Sequence, residues 1–399
     1  LSIHRTAISV LFAPDLTTGS GRMLRHAAVP VWPFDLKSGS RYNLSCRRYT
    51  QFRVLHRREE IHMEQKRTRV TRKDIAREAG VSETIVSYVM NNNRYVDKEK
   101  KKRVLEAVNK LGYRPNSIAR ALKGKKLNHI IFITDQIITE HFSLLLSELE
   151  KNAYDLGYII SLCGNRNTQQ FVSDIISRCY DGVIISSISF PDEYIQQIID
   201  AGIPVVLLVN RDYHAIRGAA KIDSGLYKGV GECVRYLFDA GCRNIIYIDR
   251  FSRNGHFSNM NDLRYRGFIE EMKRLGLSSS PEQNVITGCH NQEEVALQVE
   301  YYIRKNPVDA ILGRNDELAC IAMQRVQKLG FQIPGEIKVI GFDNSTLSQL
   351  CTPPITSMEI QRSSIAKASI EMLQNMIENH VLSPSVAFPT RLIERESTK

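Results

Sequence analysis

No stretch of this 399-residue chain approaches the run of roughly 18 apolar residues that a membrane helix needs, so a helical anchor is excluded. "TAISVLFAP", near the start, is too short and too weakly framed for a secretion signal. The eight cysteines form no CxxC pair and no metal-ligand spacing, which suits free thiols in a reducing cytoplasm better than a disulfide framework. Cys163 and Cys289 read as packing residues. There is no G-x-S-x-G, H-E-x-x-H or phosphate loop, and "GKK" at 124–126 lacks the glycine spacing such a loop needs. The ten histidines do not cluster with cysteines or paired carboxylates. No catalytic residue, metal ligand or cofactor is therefore nominated.

Charge, by contrast, is present and unevenly placed. Residues 63–126 hold 18 Lys/Arg against 7 Asp/Glu, residues 1–62 hold 10 against 4, and the remainder is acidic, with 26 against 32. A basic head on an acidic body suggests a polyanion-binding module joined to something else, although a solvated basic surface fits the charge alone. Residues 1–62 contain Trp32, the chain's single tryptophan, "TTGSG" and "LKSGS", without helical or strand period, and read as a disordered or non-native extension. A DNA-contacting basic arm is the alternative. "RREE" before Met63 can be encoded by purine-rich triplets resembling a ribosome-binding sequence, so the natural start is expected at Met63.

"VTRKDIAREAGVSETIVSYVMNNNRYV", 70–96, reads as two short helices around a tight corner. Thr71 caps the first and Asp74 completes a capping box. Ile75, Ala76 and Ala79 form its apolar face, and Gly80 supplies the left-handed stop. Ser82 caps the second helix, whose apolar side is Ile85, Val86 and Val89. Glu83, Thr84, Ser87 and Tyr88 are left pointing outward. A third helix runs from Asp97 to Gly112 with "KEKKKR" on its outer face. Such a unit can set the start of its second helix in a DNA major groove; a small three-helix bundle without a DNA role fits the same pattern. In "YRPNSIARALKGKK", 113–126, a single helical turn carries Leu122 among basic residues and is too short to be stable alone.

"VTRKDIAREAGVS", "VLEAVNKLGYRPNSIARAL" and their spacing resemble the DNA-binding head and hinge of the lactose-repressor (LacI/GalR) family. The resemblance implies double-stranded operator DNA as partner, with Glu83, Thr84 and Tyr88 at base-contacting positions. Thr71, Asn91 and Tyr95 match positions on or beside the DNA backbone, and Leu122 matches the hinge leucine that wedges into the minor groove. Many members carry Arg or His where this chain has Tyr88, so the lactose-operator sequence is not expected.

From His129 onward, β-rich runs ("HIIFITD", "GYIISLCG", "DGVIISSI", "IPVVLLVN", "NIIYID", "VDAILG", "KVIGFD") alternate with helical stretches near 141–156, 191–201, 226–240, 262–275, 315–329 and 361–378. Five helices end on one device, a glycine followed by an apolar residue: Gly157-Tyr158, Gly202-Ile203, Gly241-Cys242, Gly276-Leu277 and Gly330-Phe331. The expected fold is α plus α/β: a helix-turn-helix head with hinge over 68–124, then a two-subdomain, doubly wound core over 128–399. "GRNDELACIAM", "KVIGFDNSTL", "TPPITSMEI" and "LIERES" also resemble the family, whose core is like a periplasmic sugar-binding protein; by that likeness the chain crosses between subdomains near 222, 359 and 388.

Ligands in such folds sit at the carboxyl ends of strands. The resemblance implies effector-binding roles for Arg264, Asn315 and Asp343, with a helix cap or ion pair as the alternative. Asp135, Phe142 and Asn210 are weaker candidates, and Asp316 is expected as a cap. Val209 stands where some members have an acidic sugar contact, which disfavours a lactose-like ligand. The resulting expectation is a cytoplasmic repressor that binds a palindrome as a homodimer, has no membrane association and responds to a carbohydrate. A corepressor-dependent regulator and a transport solute-binding protein are the alternatives.

Overall fold

The computed structural model describes residues 70–92, 94–114, 126–252 and 255–399. The expectations for residues 1–62 and for the hinge, Leu122 included, lie outside the described residues. The chain divides into two compact units, Leu1–Arg114 and Pro115–Lys399.

In the first unit, α1 is Arg72–Ala79, α2 Glu83–Asn91 and α3 Lys98–Leu111. Their ends are set by the expected residues. Thr71 and Asp74 form a reciprocal capping box, Ser82 accepts from the Ile85 N–H, and Asp97 accepts from Glu99 and Lys100. Gly80, Asn92 and Gly112 close the three helices in the left-handed conformation, which lets orphan carbonyls of the last turn find donors. Ile75, Val86 and Val104 are fully buried at the junction, with Ala76, Ala79, Val89 and Ala107 around them.

On α2, Glu83 and Thr84 are exposed, and Ser87 and Tyr88 are half-buried. Arg94 lies over the Tyr88 ring at 5.2 Å, and the Asn91 side chain donates back to the Ser87 carbonyl at 2.7 Å.

The second unit begins with β1 His129–Thr134, α4 Glu140–Asp155, β2 Ile159–Gly164, α5 Gln169–Ser177, β3 Gly182–Ser186, α6 Asp192–Asp200, β4 Val205–Val209 and β5 Ala220–Asp223. It continues with α7 Leu226–Asp239, β6 Ile245–Ile248, α8 Leu263–Arg274, β7 Val285–Ile286, α9 Gln292–Lys305, β8 Ala310–Gly313, α10 Asp316–Lys328 and β9 Lys338–Phe342. Then come α11 Thr346–Leu350, β10 Thr356–Glu359, α12 Arg362–Asn379, β11 Val386–Ala387 and β12 Arg391–Ile393.

These strands build two six-stranded sheets, ordered β11-β5-β4-β3-β1-β2 and β12-β10-β9-β8-β6-β7. Pairing is parallel throughout except between β10 and β12. Fully buried Val, Ile and Leu on both faces of β3 and β4 explain the unbroken apolar runs of the sequence. The chain passes between sheets after β5, after β10 and between β11 and β12, so the two subdomains share three strands of connection.

All five glycine stops form as expected. Gly157, Gly202, Gly241, Gly276 and Gly330 have φ between 67° and 95°, and each following N–H returns to the helix, as Tyr158 does to Ala153 O at 2.9 Å. Elements not anticipated are β5, β7, β10 to β12, α5, α9 and α11. β10 reads Thr-Ser-Met-Glu, and its buried hydroxyls are satisfied by distant partners: Thr356 Oγ1 meets Thr398 Oγ1 at 2.7 Å.

Candidate functional site

A cavity of about 410 Å³ opens between the carboxyl ends of the two sheets. β1 and β4 bring Asp135 and Asn210 to it, β6 brings Arg250, β8 brings Arg314 and Asn315, and β9 brings Asp343. The first turns of α8 and α12 add Arg264 and Arg362, and α4 adds Glu140, His141 and Phe142.

Arg264, Asn315 and Asp343 all line this cavity, but their side chains already have partners. Arg264 Nη2 meets Asp343 Oδ1 at 2.8 Å, with side chains only 12% and 10% exposed, and its guanidinium lies over the Phe342 ring at 4.5 Å. Asn315 Oδ1 caps α10 by accepting from the Leu318 N–H at 3.0 Å. Asp343 holds a left-handed φ of 98°, rare for a residue with a Cβ and typical of positions fixed by their surroundings. Burial pushes its carboxyl upward, yet Arg264, His141 and Arg362 outweigh that and keep it below the usual carboxylate range. Arg362 Nη2 also donates to the Asp343 carbonyl oxygen.

His141 approaches Asp343 Oδ1 at 3.7 Å from the other subdomain. Burial drives its pKa down to about 4, against the pull of Asp343 and with help from Arg362 and Arg264, so the ring is neutral at pH 7. Beside it, Glu140 Oε1 accepts from both the backbone N–H and the hydroxyl of Thr346 at 2.7 Å, a second contact across the cleft.

Asp316 is not the cap expected of it. Asn315 takes that place, and Asp316 turns inward to accept from the Ser345 N–H at 2.6 Å and Ser357 Oγ at 2.5 Å. A Cβ on Gly341 would overlap the Asp316 carboxylate, which explains the glycine in the middle of β9. Burial, then the nearby Asp343 charge, push the Asp316 pKa up to about 6.

A group whose folded pKa is raised contributes stability that is complete below its unfolded pKa of 3.8 and is lost as pH rises through about 6. Lowering the pH from 7 to 5 should therefore stabilise the protein by about 1 kcal/mol relative to Asp316→Asn, in which nothing titrates at this position. Parallel thermal melts of the two proteins test this; parallel pH profiles would contradict it.

The weaker candidates are also tied down. Asp135 accepts from the Ile188 N–H at 2.7 Å, from Ser189 Oγ at 2.6 Å and from Ser187 Oγ, while Asn210 Oδ1 accepts from the Tyr213 hydroxyl at 3.1 Å. Phe142 packs edge-on against Phe132. Sequence reading missed Glu140, His141, Arg250, Arg314 and Arg362. Arg250 and Arg314 follow strand ends, so the rule that nominated Asp343 applies to them as well. His141 and Arg362 carry no such sequence signal.

Two sequence profiles match the chain. Residues 71–116 match "Bacterial regulatory proteins, lacI family", and residues 234–398 match "Periplasmic binding protein-like domain". Relatives include the HTH-type transcriptional regulator RegA of Clostridium saccharobutylicum, 27% identical over 82% of this chain and 98% of that protein. The HTH-type transcriptional repressor PurR of Vibrio vulnificus (strain CMCP6) is 28% identical over 77% of this chain and 92% of its own. Catabolite control protein A of Priestia megaterium is 27% identical over 83% and 99%. Among solved structures, the lac repressor dimer bound to operator and the anti-inducer ONPF superposes with a TM-score of 0.70 at 21% identity, covering 82% of this chain and 99% of that one. The transcriptional regulator CelR–cellobiose complex superposes at 0.59 and 20%, covering 82% and 100%.

Proposed function

Because the chain belongs to the lacI family of bacterial regulatory proteins, we propose that it is a cytoplasmic repressor, not an enzyme, that binds a palindromic operator as a homodimer and responds to a small molecule, a carbohydrate, held in the cleft. The observation that carries this reading is the first turn of α2. Its cap is made by Ser82, and Glu83 and Thr84 stand exposed immediately beyond it. A helix start placed this way can enter a major groove with side chains directed at base edges. Glu83 can accept from a cytosine amino group and Thr84 can touch a thymine methyl.

The remaining head residues have supporting roles. Tyr88, braced by Arg94, packs at the edge of the reading surface, and Ser87 and Asn91 hold the end of α2. The N–H groups of Arg72 and Lys73 lie outside the Thr71–Asp74 capping box and can face a phosphate, and the 90%-exposed Tyr95 is accessible to a DNA backbone. Residues 68–124 are the DNA-binding segment in this account and 128–399 the effector-binding and dimerising core, with Arg264, Asn315 and Asp343 as ligand contacts. The Arg264–Asp343 pair supports that role because ligand hydroxyls can join an oriented ion pair without new ordering cost.

Glu83→Ala should relax base preference at one half-site position by about 1–3 kcal/mol. Lys100→Ala, at an exposed lysine on α3, should weaken all sequences alike and reduce the salt slope by about one. Binding-site selection with both variants tests the assignment: unchanged half-site preference for Glu83→Ala would remove Glu83 as a reader.

A further inference from the structure

Arg250 stands two residues beyond β6, half-buried, and lines both the cleft cavity and a second one of about 560 Å³ beside it. Among the described residues, its guanidinium has no hydrogen bond and no ion pair. Burial, then the neighbouring Arg314, holds its pKa below the ordinary arginine value against the pull of Asp135, Asp249 and Asp262.

Those three carboxylates are occupied by other donors. Asp249 accepts from the Ser258 N–H, from Ser258 Oγ at 2.6 Å and from Thr287 Oγ1 at 3.0 Å. Asp262 pairs with Arg314 at 2.7 Å and caps α8. Asp135 is held by the serine cluster of the β3–α6 loop. Arg250 is thus a cation partly shielded from water with no counter-ion in contact, an arrangement that an arriving anion would improve. In residues that line the same cavity, the Nε atoms of Arg264 and Arg362 and the Ser345 hydroxyl are buried without hydrogen-bond partners among the described residues. A guanidinium fork matches phosphate and carboxylate oxygens in a bidentate way that neutral hydroxyls do not reproduce.

We propose that the small molecule taken by the cleft carries an anionic group, a phosphate monoester or a carboxylate, and that Arg250 binds it; this rests on the reading of the cleft as the effector site. The rival account is that Arg250 serves Asp135 across the cleft in the empty protein. The two differ for Arg250→Gln without ligand. Removing an unpaired, half-buried charge leaves the melting temperature equal or higher, whereas breaking a working cross-cleft pair lowers it, and a fall of more than about 2 °C would overturn the proposal.

The direct test is thermal unfolding of the full chain in inorganic phosphate against chloride at matched ionic strength. Phosphate should raise the melting temperature of the wild type by about 2–4 °C more than that of Arg250→Gln. Equal shifts in the two proteins would overturn the inference, because generic salt effects act on both. Glucose 6-phosphate, glucuronate and glucose then identify the source of the anion. Preference for one of the charged sugars, lost in Arg250→Gln, supports the proposal and names the group. Stabilisation by glucose alone, equal in both proteins and absent in Arg264→Ala, overturns it while the effector reading stands. Phosphate binding through Arg250 with DNA affinity unmoved by every sugar keeps the anion site and removes the effector reading instead.

Discussion

Arg264→Ala is expected to abolish the response to effector while leaving sequence-specific DNA binding intact. Arg264 and Asp343 form a pair almost withdrawn from water, and removing one partner leaves a buried charge uncompensated, at a cost of about 3–5 kcal/mol. The loss falls on the cleft, where His141 and Arg362 depend on the same carboxylate, and not on the head, whose core is separate. Because such a cost can also destabilise the second unit, the double variant Arg264→Leu/Asp343→Leu belongs in the experiment. Replacing both partners by apolar side chains should restore most of the thermal stability without restoring the response. Titration of effector against a fluorescent operator duplex measures this; normal release of DNA by both variants would place the ligand elsewhere.

Ile75→Ala should have the opposite signature, with DNA binding lost and the core unaffected. Ile75 is fully buried where α1, α2 and α3 meet, and truncation of such a side chain costs about 2–5 kcal/mol. A head with seven buried apolar residues among the described residues has little stability in reserve, so most of it should unfold at room temperature. Circular dichroism would then lose the helical signal of the head while the main thermal transition keeps its midpoint. Operator affinity should fall by more than about 100-fold, the equivalent of roughly 2.7 kcal/mol. Full operator affinity in this variant would mean that the head tolerates the cavity.

How much of this was legible in the sequence depended on whether local chemistry or tertiary placement decided the outcome. Caps and glycine stops are local: Thr71, Ser82 and Asp97 begin helices because their side chains satisfy orphan N–H groups within three residues. The five Schellman glycines and the apolar runs of β3 and β4 are local in the same sense. β10 was illegible because its Thr and Ser hydroxyls are satisfied by the chain's last residues and by Asp316, partners no window reveals. α9 was missed because Val295 and Val299 are its only buried residues, a stripe too thin to stand out.

Within the cleft, the family resemblance nominated Arg264, Asn315 and Asp343, and all three line the cavity. The exchange of roles between Asn315 and Asp316 turned on a single residue of helix register; both can cap, and the end of β8 decided which does. The isolation of Arg250 lay beyond sequence reading altogether, since it follows from where three other carboxylates spend their hydrogen bonds.

The central claim, that this chain reads DNA sequence through α2 as a pair of heads, is tested most directly by selecting bound duplexes from a random pool with the full chain at near-physiological salt. The account predicts enrichment of a palindrome whose half-sites lie a fixed distance apart, bound by two chains per duplex, with affinity falling steeply as salt rises. Recovery of no common sequence, or of a single half-site bound by one chain, would contradict it.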